Sequence, residues 1–136
     1  MTLLPRHAAT LGATALFALS LSACGGPPDD ASVADFCKAI HDTSWATSLD
    51  ETSDGDEIVK ALQKWRDKLD ETGTPKGIPD DARKGFEITI DTLSDVKAED
   101  FDSPDDLGDI NGDLSKEDED KVEALNDYST DKCEGG

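Results

Sequence analysis

The chain has 136 residues, with 32 Asp and Glu against 13 Lys and Arg, a formal net charge of −19 and an aromatic content of 5%. A surface that acidic repels nucleic acid and anionic headgroups, and its natural partners are cations or basic protein patches. The length suits one small domain and is too short for two lobes around a solute-binding cleft.

The chain opens with a basic start at Arg6 and an apolar run from Ala8 to Ser20, followed by small residues. That order predicts a cleaved secretory signal peptide over residues 1–23. The run falls short of the roughly 20 apolar residues of a membrane-spanning helix. Leu21-Ser22-Ala23-Cys24, at its end, resembles the lipobox of bacterial lipoproteins. The resemblance implies diacylglyceryl transfer to the Cys24 thiol, cleavage before Cys24, and a lipid-anchored protein (palmitate-type acyl chains) on the extracytoplasmic face of the cell membrane. A diacylated cysteine supplies the two chains that stable attachment requires. The alternative is an ordinary secretory signal, or an uncleaved anchor, with an incidental cysteine. The segment before Cys24 contributes one Arg and no acid, so the 113 residues from Cys24 onward carry −20.

Residues 24–31, Cys-Gly-Gly-Pro-Pro-Asp-Asp-Ala, are expected to form a flexible tether. The six residues 25–30 within it reach about 20 Å when extended. From Ser32 to the end at 136 the apolar residues fall on helical faces. A first helix is expected from Ser32, as N-cap, to Leu49, with Val33, Phe36, Cys37 and Ile40 on one stripe and Trp45 at its edge. A second is expected from Asp56 to Glu71 on Ile58, Leu62, Trp65 and Leu69, closed by Gly73 in a left-handed conformation. A third is expected from Asp80 to Lys97 on Phe86, Ile90, Leu93 and Val96, with Pro79 in its first turn. Gly85 inside that helix marks a close approach by a neighbour. Residues 98–114 read as an acidic loop anchored by Phe101, Leu107 and Ile110, and a fourth helix runs from Ser115 to Cys133. The fold class is all-α, a small four-helix bundle-like domain.

Leu, Ile, Val and Phe make up only 20 of the 113 residues after the signal, a thin core that calls for a covalent staple. With Cys24 lipidated, Cys37 and Cys133 are left, and export favours oxidation. Cys37 shares the stripe of the first helix, and Cys133 lies 11 residues, close to three turns, from Val122. A disulfide between them is expected to tie the first helix to the last; a reactive thiol or an intermolecular bridge is the competing use.

Catalysis by a nucleophile or general base has little to work with. His41 is the one histidine after the signal, and beside Asp42 it reads as a solvated pair beyond the apolar face. No nucleophile elbow, phosphate loop or zinc-type cluster appears, so no enzyme and no cofactor is expected. Calcium is the one ion with a pattern. Asp109, Asn111, Asp113, Ser115, Glu117 and Asp120 fall at ligand spacings that resemble the calcium loop of EF-hand and dockerin-type modules. Leu114 stands where that loop needs glycine, and Asp120 where it uses a bidentate Glu. The competing account is a solvated acidic loop whose Ser115 caps the fourth helix, with Asp118 completing a capping box.

Trp65, at the centre of its stripe, reads as core, while Trp45 is open to either core packing or surface contact. Gly77-Ile-Pro-Asp-Asp-Ala-Arg-Lys-Gly-Phe86 and the flanking cysteines look like small, uncharacterised lipoproteins of high-GC Gram-positive bacteria. That likeness implies no activity and carries over no functional residue. The function expected is a membrane-anchored, non-enzymatic extracytoplasmic binding module with an acidic surface and a basic protein partner. The alternative is a cation-binding envelope protein using residues 109–120.

Overall fold

The computed structural model describes residues 25–134, so the signal-peptide and lipobox expectations, Cys24 included, lie outside it. Four α-helices carry the fold: α1 (Val33–Ile40), α2 (Gly55–Thr72), α3 (Asp80–Asp95) and α4 (Lys116–Cys133). Three short 3-10 turns, Ala46–Ser48, Ala98–Asp100 and Pro104–Asp109, punctuate the connections. Among the described residues there is no strand, only a single bridge pair between Ala31 and Pro75.

Each helix start has a local cause. Ser32 accepts the amide of Asp35 to open α1, and Ser115 accepts the amide of Asp118 to open α4. The Asp118 carboxylate meets the Ser115 hydroxyl at 2.8 Å and leaves the Ser115 amide alone, so the capping box is half made. At α2, Asp54 and Glu57 form a full capping box just ahead of the expected start. Pro79 stands immediately before α3, at its N-cap, where its missing N–H also goes unneeded.

α1 is half as long as expected. The Asp42 carboxylate accepts the amide of Ser44 at 2.9 Å, and Lys68 of α2 grips the same carboxylate, which turns the chain out of the helix after His41. Trp45 therefore sits in a turn instead of at the edge of a helical stripe, and Val33, expected on the buried face, is 42% exposed. α3 also stops short, at Asp95, with Val96 and Lys97 already extended. Gly73 closes α2 with the expected positive φ of 70°, but its ψ of −157° lies outside the left-handed helical region, in territory reserved for glycine.

α1 packs on α2 and α4, and α3 packs on the same two, so the helices form a four-membered ring with α2 and α4 across the diagonal. Phe36, Ile58, Leu62, Leu69 and Phe86 are fully buried at its centre, with Phe36 in aromatic contact with Phe86 and Tyr128. α3 and α4 touch most intimately. A Cβ on Gly85 would stand 2.1 Å from the Lys121 carbonyl oxygen, which is the close approach that glycine marks in the sequence. Cys37 and Cys133 are joined in a disulfide with their Cα atoms 5.5 Å apart, binding α1 to the end of α4 across 96 residues.

The tether is where expectation and structure part. Residues 27–31 are extended but fastened to the domain. Arg83 of α3 donates to the carbonyls of Pro27 and Pro28, to the Thr74 hydroxyl at 2.6 Å and to Glu87 at 2.9 Å. The Thr74 amide donates to Pro28 and the Ala31 amide to Thr74. Gly73 allows this approach, because a Cβ there would lie 2.0 Å from the Pro28 oxygen.

Candidate functional site: a tryptophan-walled recess

The helix lengths leave a gap. α1, with eight residues, extends for about 12 Å, whereas α2 and α4, with 18 each, extend for about 27 Å. Beyond Ile40 the ring is left with three helices. The space that a longer α1 would fill is instead roofed by Trp45 and by Leu107, Ile110 and Asn111 of the acidic loop. Beneath them is a recess of about 260 Å³ with walls from Leu62 and Trp65 of α2, Thr89, Thr92 and Leu93 of α3, and Val122, Leu125 and Asn126 of α4. That is slightly below the roughly 300–1,000 Å³ of drug-sized sites, and leaves room for a small ligand.

Trp45 and Trp65 stack with ring centroids 5.5 Å apart and planes 17° from parallel. Trp65 is fixed further by its indole N–H, which donates to the Ala39 carbonyl at 3.0 Å from the last turn of α1. The end of α1 and the wall of the recess are thus one construction. Trp65, expected as core, is half-buried, and so is Trp45. Thr89 spends its hydroxyl on the Gly85 carbonyl at 2.9 Å.

No residue lining this recess is charged. The same two tryptophans also border a second, charged depression with Asp42, Lys64 and Lys68. The hydrogen bond from Lys68, followed by those from Ser44, holds the Asp42 carboxyl well below the usual carboxylate range. The stacked indoles thus line both an uncharged cavity and a depression that holds an ion pair.

The six residues of the calcium pattern are not gathered. Asn111 belongs to the recess, while Asp109 and Asp113 border a different shallow depression with Asp100, Asp106 and Phe101. Ser115 is committed to capping α4, and Glu117 binds Lys121 one turn on at 2.7 Å, which lowers the pKa of the acid and raises that of the amine. Asp120 is exposed in the second turn of α4. Among the described residues no group of three or more His, Cys, Asp or Glu side chains is placed to hold a metal ion. His41 is exposed at the C-cap of α1, and its neighbour Asp42 is taken by Lys68 and Ser44.

Leu107, Ile110 and the two tryptophans stand out in the sequence, whereas Thr89, Thr92 and Asn126 do not. Their only signal is spacing. Thr89 and Thr92 are three apart on α3, and Val122 and Asn126 four apart on α4, the separations that share a helix face. No protein-family model, curated protein or solved structure matches the chain.

Proposed function

We propose that this chain is a non-enzymatic binding module, carried on the extracytoplasmic face of the cell membrane by a lipidated Cys24, with the tryptophan-walled recess as its ligand-binding surface. The single observation behind the binding reading is the recess itself: a cavity framed by α2, α3 and α4, the end of α1, Trp45 and the 107–111 loop, lined without a nucleophile–base pair. The anchor is supported by the Leu21-Ser22-Ala23-Cys24 sequence after a short apolar run. Among the described residues no helix is long and apolar enough to cross a membrane. The surrounding acidity favours a basic contact surface on any protein partner.

One experiment tests both halves. The full chain and its Cys24→Ser variant are expressed in a bacterium that processes lipoproteins, and membrane and soluble fractions are compared by intact mass. The unaltered chain is expected in the membrane with a diacylglyceryl mass increment, and the variant in the soluble fraction without it. Equal partitioning of the two removes the anchor. Native mass spectrometry of the soluble variant is expected to show a bound small molecule that Trp45→Ala loses. Material that binds equally well without the indole places binding elsewhere.

A further inference from the structure

We infer that the recess is selective for a small uncharged molecule built on a flat apolar ring, and that it rejects anionic and cationic versions of the same ring. The inference rests on the binding-module reading and supplies its ligand class; it does not depend on the lipid anchor.

The argument starts from charge. A third of the chain's residues are charged, 33%, yet none of them lines this cavity. An ion entering it would give up water and find no counter-charge, a cost that shape alone does not recover. An anion meets, in addition, the repulsion of a domain with 32 acidic residues against 13 basic ones. A cation is drawn toward the domain as a whole, and indole faces attract cations. The Asp42 carboxylate, which borders the neighbouring depression against the same tryptophans, does not line the recess and is already paired with Lys68. Cations are therefore concentrated at the acidic surface and not in the recess.

The walls then specify shape. The stacked indoles, one of them fixed by the Ala39 carbonyl, present a rigid aromatic wall whose ordering cost is met on folding. A flat ring gains most from such a wall. Among the lining residues, the Thr92 hydroxyl and the Asn111 and Asn126 amides offer neutral donors and acceptors, which orient a ligand carrying one or two hydrogen-bonding groups. A volume of about 260 Å³ admits one small ring system and excludes a folded peptide segment.

Because Trp45 and Trp65 are the only tryptophans in the chain, energy transfer from indole to a naphthalene reports a probe bound close to this pair, and cavity-filling variants place it in the recess. The test uses the full chain carrying Cys24→Ser and three probes on one ring system: neutral phenylnaphthylamine, its sulfonate, and its trimethylammonium analogue. Expected are saturation of transfer at one neutral probe per chain, a dissociation constant for that probe at least about tenfold below that for either charged probe, and loss of transfer in Thr92→Phe, which fills the cavity. Unchanged circular dichroism and melting of Thr92→Phe separate filling from unfolding. If that variant melts early, Val122→Phe, which fills the same cavity from α4, replaces it in the comparison. Equal or tighter binding of the sulfonate or the ammonium probe overturns the uncharged class while leaving a binding module. Absence of transfer with all three probes overturns the site, and a ligand still retained in native mass spectrometry would then show that the module binds elsewhere.

Discussion

Gly85 of α3 faces the carbonyl of Lys121 in α4 so closely that a single added methyl would stand 2.1 Å from the oxygen and 3.1 Å from the Leu125 Cβ. Neither helix has slack there, since the obstacle is backbone and Leu125 is buried. Gly85→Ala is therefore expected to destabilise the domain by about 2–3 kcal/mol, despite alanine's better helix propensity, as overpacked interiors do. Urea denaturation of the two proteins measures it; a variant as stable as the parent, or more so, contradicts the described crossing of α3 on α4.

The disulfide should supply a large share of stability. Closing 96 residues restricts the unfolded chain by up to about 4.7 kcal/mol on chain-entropy grounds. Against a thin core, that predicts a steep drop in the denaturation midpoint on reduction and an equal drop in the Cys37→Ser, Cys133→Ser double variant. A midpoint indifferent to reductant would mean the core holds α1 and α4 together unaided.

Arg83→Ala is expected to release the segment before α1 without unfolding the bundle. The amides of Ala31 and Thr74 are protected by contacts that this segment makes with the 73–75 turn, and Arg83 clamps both sides. In hydrogen exchange these two amides should become fast while those inside α2 and α4 keep their protection. Continued slow exchange at Ala31 would assign the docking to the backbone contacts alone.

Asp42 gives the domain a pH response of predictable sign. Its carboxyl is held low in the folded state by Lys68 first and Ser44 second, against an ordinary value of about 3.9 in the unfolded chain. A lowered pKa stabilises the fold fully above the unfolded value, and that contribution is lost as pH falls from near 4 toward the folded value. Lys68→Met should return the Asp42 titration toward the ordinary range and flatten this part of the acid limb. Carbon-detected NMR of the Asp42 carboxyl follows it directly, and an unmoved titration in the variant would exclude the pair as its cause.

Much of the fold is legible in the sequence because its causes are local. Ser32 and Ser115 cap the helices they precede, Gly85 marks the crossing, and Cys37 and Cys133 fall on facing stripes. The end of α1 is not legible, because Trp45 lies near the helical stripe and the break comes from Asp42 bonding Ser44 and Lys68, a partner 26 residues away. The recess follows from that break and is hidden for the same reason: it exists only because one helix is shorter than its neighbours. The docking of residues 27–31 is hidden too. It uses backbone carbonyls and one arginine, so composition alone describes a free linker.

The fastened segment changes the mechanics of any attachment at Cys24. A slack leash of six residues would let the domain swing and roll about 20 Å out. With Pro27 and Pro28 pinned by Arg83, only Gly25 and Gly26 are left as a hinge, a contour of about 7 Å. A lipidated Cys24 would then act as a short mast rather than a leash. The pole carrying Arg83, Thr74 and Pro75 would be held toward the bilayer.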